Sequence, residues 1–148
     1  MSNSKLMVHF IWTTKKRQPI ITKKLKPLLL SHIKTNSIEK GIYIDCMNCV
    51  EDHIHLLISL GREQTSSKVA MLIKGESSHW VNKQKICDYK FEWQKDYLSI
   101  GICENRIPIV RKYIANQAMH HEKKSYEEEF KEILKAHGLY IDSAKADL

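Results

Sequence analysis

The seven residues Asp52-His53-Ile54-His55-Leu56-Leu57-Ile58 restrict this chain more than any other stretch. Side chains alternate faces along a β-strand, so Ile54, Leu56 and Ile58 are expected in a core, with His53 and His55 side by side on the opposite face. Residues two apart on a strand have Cβ atoms about 6–7 Å apart, and two imidazoles can lean from there onto one metal ion. The same pair on a half-exposed strand is also ordinary polar surface. Its meaning depends on what the rest of the chain brings to that face.

The flanking pattern supplies the other elements. Lys5 to Thr13 is rich in strand formers and predicts a first strand, followed by the basic loop Thr14-Lys15-Lys16-Arg17-Gln18-Pro19. Leu25, Leu28, Leu29, Ile33 and Ile38 give a helical stripe with Pro27 in its first turn and Gly41 as its stop. Ile42 to Val50 reads as a second strand, turning at Asn48 to Asp52 into the histidine strand. Thr65, Ser66 and Ser67 offer caps for a helix carrying Val69, Leu72, Ile73 and Trp80. Tyr89–Trp93 and Tyr97–Ile102 each alternate and read as short strands. A helix is expected from Ile107 to His121, and another from Ser125, capped with Glu128, through Tyr126, Phe130, Ile133 and Leu134 to Gly138. The order β-α-β-β-α-β-β-α-α predicts an α+β fold, a ferredoxin-like or RRM-like antiparallel sheet with helices on one face. One domain over residues 1–142 and a short tail, 143–148, are expected.

Charge narrows the partner. Twenty-four Lys and Arg oppose seventeen Asp and Glu in 148 residues, and such an excess favours a polyanion, nucleic acid above all. Trp12 followed by Lys15, Lys16 and Arg17 suits base stacking plus phosphate contact, and Lys74 lies on an outer face of its helix. No apolar run reaches the length of a membrane span and no signal-peptide pattern opens the chain, so a cytoplasmic, nucleoid-associated protein is expected. Cys46-x-x-Cys49 ahead of His53 raises structural zinc, but residues three apart on a strand face opposite ways and no second Cys-x-x-Cys follows.

The helix from Ile107 holds the second polar constellation. At about 100° per residue, Ile107, Val110, Ile114 and Ala118 form an apolar arc, with Tyr113 and Gln117 one turn apart on its flank and His120 beyond.

Taken together, Asp52-His-Ile-His-Leu-Leu-Ile resembles the histidine-hydrophobic-histidine (HUH) signature, and Tyr113-Ile-Ala-Asn-Gln117 resembles the catalytic helix of the single-tyrosine HUH transposases. These are the small TnpA-type enzymes of insertion sequences and their REP-associated relatives. Trp12-Thr-Thr-Lys-Lys-Arg-Gln-Pro and Leu72-Ile-Lys-Gly-Glu-Ser-Ser also resemble family segments, in the same order, while Ser99–Cys103 is a looser match and Cys46 and Cys49 have no family role. The resemblance implies Tyr113 as nucleophile and His53, His55 and Gln117 as ligands of a divalent ion, Mg²⁺ or Mn²⁺. It also implies a DNA transposase cleaving and rejoining single-stranded DNA at hairpin-marked ends through a 5′-phosphotyrosine. A homodimer whose subunits share active sites is implied too.

Chemistry agrees with that reading. Phosphoryl transfer needs an in-line nucleophile and stabilised charge on the non-bridging oxygens. A phenol of pKa ~10 needs activation at neutral pH. Two imidazoles and an amide oxygen make an incomplete shell suited to Mn²⁺ or Mg²⁺. No Walker-type glycine loop is present, and no carboxylate triad presents itself for DDE chemistry. A non-catalytic RRM-like nucleic-acid binder would explain the charge but not the pairing of histidines with Tyr113 and Gln117.

Overall fold

The computed structural model describes residues 2–119 and 124–136. Strands β1 (Leu6–Thr13), β2 (Tyr43–Cys49), β3 (His53–Leu60) and β4 (Leu98–Ile102) form one antiparallel sheet in the order β2-β3-β1-β4. Helices α1 (Leu25–Glu39) and α2 (Ser66–Lys83) connect β1 to β2 and β3 to β4, and α3 (Ile107–Ala115) and α4 (Tyr126–Ala136) follow. This is the ferredoxin-like α+β arrangement that the periodicities predict.

The two sheet faces are covered differently. Phe10 and Trp12 of β1 and Ile54, Leu56 and Ile58 of β3 pack with Leu25, Leu29 and Ile33 of α1 and Val69, Ala70 and Ile73 of α2. On the reverse face, Met7 and Leu57 meet Ile107 and Ile114 of α3, while Ile11, Leu98 and Ile100 meet Tyr126, Phe130 and Leu134 of α4. The expected placement of helices on one face thus describes α1 and α2. The last two helices cover much of the other face and bury what lies beneath them.

Several boundaries follow from identifiable local chemistry. Gly41 at φ 69° lets the Ile42 N–H reach the Ser37 carbonyl at 2.9 Å, the usual closure of a helix on a left-handed residue. Thr65 accepts from the Lys68 N–H at 3.2 Å and starts α2. In the predicted α1 stripe, Leu28 and Ile38 are exposed and Leu25, Leu29 and Ile33 are buried, so the buried arc is narrower than the apolar one.

Two expectations are corrected. Tyr89–Trp93 is not a strand; only Trp93 bridges to Thr14, and the Phe91 backbone bonds both ways with the Asn82 side chain, at 2.7 and 2.9 Å. The alternation there arises because Phe91 and Trp93 enter the core from a loop. The Tyr113 helix stops at Ala115, Asn116 interrupts it, and residues 117–119 are helical again. Beyond the break Gln117 is buried and Ala118 exposed, the reverse of a continuous apolar arc. His120, the predicted end at His121, Gly138 and the 142/143 boundary lie outside the described residues.

Candidate active site

The site forms where β3, α3 and α4 meet. His53 and His55 have no exposed surface, because α3 and α4 cover the face on which strand alternation puts them. Two polar contacts dock α3 against its own chain's sheet. Arg111 donates to both carboxylate oxygens of Asp45 at 2.8 and 2.7 Å, and Asn48 Nδ2 donates to the Ile114 carbonyl at 3.0 Å. Asp45 sits at a register shift in β2, between Ile44 and Cys46, and such an irregularity re-aims a side chain.

Each imidazole is oriented by a bond at its Nδ1. His53 Nδ1 lies 2.7 Å from Asp52 Oδ1, and His55 Nδ1 shares a 2.9 Å hydrogen bond with His9 Nε2. Both Nε2 atoms then face Glu129 of α4, His53 at 3.4 Å and His55 at 3.1 Å. Fixing one ring nitrogen so that the other can bind is how metal-ligating histidines are held. The Tyr113 hydroxyl donates to the same Glu129 carboxylate, and Gln117 Nε2 lies 3.0 Å from both His53 Nε2 and Glu129 Oε1. All four residues predicted for catalysis and metal binding are thereby brought together within one chain.

Glu129 and His9 are the residues that sequence reasoning missed. Glu129 shares the buried face of Tyr126, Phe130 and Leu134, so the available signal is an acid inside an apolar helical stripe. His9 is likewise a buried polar residue inside an apolar strand.

Electrostatics couple the carboxylate, the imidazoles and the phenol of the site. Burial alone would raise Glu129, yet hydrogen bonds from His53 and His55 hold it below the ordinary carboxylate range. Burial alone would lower His53, but Asp52 and Glu129 raise it. Burial, and next Glu129, push the Tyr113 phenol far above its ordinary value. Among the described residues, His53, His55 and Glu129 are the group whose ligand atoms all lie within 4.8 Å of one another. Gln117 Oε1 is buried without a hydrogen-bond partner among them. Turned over, the amide would give up its bond to Glu129 and aim that carbonyl at the imidazoles, the orientation a bound cation would favour. This donor set fits a divalent cation. It does not include Cys46 or Cys49, whose thiols burial pushes up to about 11 and about 12.

The predicted DNA-contact residues fall in different places. Trp12 is enclosed in the core at 1% exposure and offers no face to a base. Lys15 pairs with Glu92 at 2.8 Å, Lys16 is exposed, and Arg17 reaches Glu127 at 2.7 Å and lies over the Tyr126 ring at 5.6 Å. Burial lowers Lys74 to about 8, and its ammonium donates to the carbonyls of Lys95 and Asp96.

The tyrosine helix thus lies over a His-x-His strand on a ferredoxin-like sheet, the arrangement that the sequence resemblance implies. The chain belongs to the IS200-like transposase family, which it matches over residues 2–117. It is 25% identical over 118 residues to the ISDra2 transposase TnpA of Deinococcus radiodurans, covering 76% of this chain and 84% of that one. Two solved structures share the fold. A Deinococcus radiodurans transposase has a TM-score of 0.63 at 20% identity, over 78% of this chain and 93% of its own. A REP-associated tyrosine transposase bound to a REP hairpin has a TM-score of 0.61 at 16% identity, over 95% and 89%. None of the described helices is long and apolar enough to cross a membrane.

Proposed function

We propose that this transposase cleaves and rejoins single-stranded DNA at hairpin-marked ends, with Tyr113 as nucleophile. The observation that carries the reading is the convergence of Tyr113, Gln117, His53 and His55 on one buried carboxylate. The Tyr113 oxygen attacks the scissile phosphorus as the bond to the 3′ oxygen breaks. The products are a 5′-phosphotyrosine ester and a 3′-hydroxyl, the phenol giving up one proton and the leaving 3′ oxygen taking one up. The same exchange run backwards at a new junction restores a phosphodiester, so no nucleotide cofactor is consumed.

His53, His55 and Gln117 would hold a divalent ion, Mg²⁺ or Mn²⁺, with Glu129 as a further donor. When bound, such an ion supplies positive charge that polarises the phosphate. The chain's own residues prepare the rest. Asp52 and His9 fix the imidazole rings, Glu129 aims the phenol and holds its proton in the resting site, and α3 and α4 keep water from the cluster. The family resemblance implies a homodimer. Docking of α3 on its own sheet supports an arrangement in which one chain supplies both halves of its site.

Incubating the protein with single-stranded hairpin DNA and Mn²⁺, then separating it on a denaturing gel, tests the reading. A covalent adduct that Tyr113→Phe abolishes is expected. An adduct unchanged in Tyr113→Phe would refute the nucleophile, and no adduct across a range of candidate ends would refute the reaction.

A further inference from the structure

We propose that the cleft between α2 and residues 90–97 binds the unpaired DNA strand leading away from the scissile phosphate, with a base seated at Gly75 and phosphates on the cleft lysines. The proposal rests on the reading of the active site above and adds where the strand runs.

The cleft has a volume of about 700 Å³, within the range of ordinary ligand sites. Lys15, Lys74, Lys90 and Lys95 line it against a single carboxylate, Glu92. That carboxylate is already engaged by Lys15 and Lys90, each at 2.8 Å. The cleft therefore presents net positive charge to whatever enters, as a polyanion track requires.

Gly75 lines the same cleft from the middle of α2. Glycine in a helix interior is less stable than alanine by about 1 kcal/mol. Neither packing nor backbone geometry calls for it. A Cβ added there meets nothing within 4 Å, and Gly75 does not have a positive φ. The missing side chain leaves the helix open to close approach of a ligand. Met71, one turn earlier, leaves 64% of its surface exposed at the same cleft, and the half-buried Tyr97 ring has the Lys74 ammonium 5.9 Å away. Apolar and aromatic surfaces flanked by ammonium groups suit a base and its phosphates.

The turn Lys15–Arg17 joins the cleft to the edge of the sheet face that carries the active site. β1 ends in Thr13, which pairs with His53. Two residues on, Lys15 lines the cleft, while Arg17 reaches Glu127 and Tyr126 on the site face. Lys16 and Arg17 hold positive φ of 56° and 52°, and the Lys16 N–H is bonded to Gln94 Oε1 at 3.3 Å. Non-glycine residues held in the left-handed region mark a turn whose shape the surrounding structure constrains.

Fluorescence anisotropy on the full chain tests this, with a labelled oligo-dT of about twelve nucleotides and a blunt hairpin as separate probes. Gly75→Gln fills the cleft while improving helix propensity, and should weaken oligo-dT about tenfold, the cost of about one lost stacking contact, with little change for the hairpin. Combining Lys90→Gln with Lys95→Gln should flatten the dependence of log K on log salt by about 1.4. Lys34→Gln, on exposed α1 surface, serves as the comparison. Unchanged oligo-dT binding in Gly75→Gln, or a slope change in Lys34→Gln of half or more of that in the combined cleft variant, would overturn the cleft. The Tyr113 adduct assay separates the two readings. An adduct with indifferent cleft variants sinks the cleft alone; oligo-dT binding that needs the cleft, without any adduct, sinks the nuclease reading alone.

Discussion

Ile54 and His55 are neighbours on β3, both without exposed surface, and their surroundings differ in kind. On the Ile54 side, aliphatic and aromatic groups from α1 and α2 close over the sheet. On the His55 side, His9, His53, Gln117 and Glu129 are also buried, and their polar contacts lead to one carboxylate. Burial alone therefore does not separate core from site. Convergence of buried polar atoms does, because ionisable groups taken out of water are costly unless they are paired or bind a cation.

The comparison can be broken by substituting each face in turn. Leu56→Ala should lower stability by about 2–5 kcal/mol in urea titration while leaving cleavage per folded molecule intact. A specific loss of cleavage would mean the faces are not independent. His55→Ala should do the opposite, reducing adduct formation by about a hundredfold or more. Hairpin affinity should stay within about twofold, because basic surface carries most of it. Equal losses in both assays would merge the metal and docking roles. Glu129→Gln keeps the shape and removes the charge; it should weaken Mn²⁺ binding by about tenfold or more in calorimetry, and unchanged affinity would remove Glu129 from the donor set.

The smallest effect concerns the docking of α3. Hydrogen bonding to Arg111 holds Asp45 below its ordinary value of 3.8. A carboxylate depressed in the folded state contributes stability that is present above its unfolded pKa and lost as pH falls through the folded one. Wild type should therefore lose thermal stability below about pH 4 more steeply than Asp45→Asn. Parallel curves would show that this pair does not clamp the tyrosine helix.

Much of the site was legible because its parts are local. The alternation of β3 places His53 and His55 on one face, and nearness in sequence keeps Tyr113 and Gln117 together even across the break at Asn116. Glu129 and His9 were harder to see. Each reads locally as one polar residue in an apolar stretch, and its role exists only once α4 and β1 are packed beside β3. Trp12 shows the converse, since its place beside a basic loop suggests a surface ring and the packing of α2 encloses it.

The chain itself determined which residues share a face, where helices are capped, and that a tyrosine and an amide accompany two histidines. These depend on periods of two and 3.6 residues and on neighbours a few positions apart. Tertiary structure decided that the reverse face of the sheet would be covered, that the helix would break at Asn116 and turn Gln117 inward, and that a carboxylate from the last described helix would meet both imidazoles. Those outcomes join residues separated by tens to over a hundred positions, and only the packing of whole elements brings such groups within hydrogen-bonding distance.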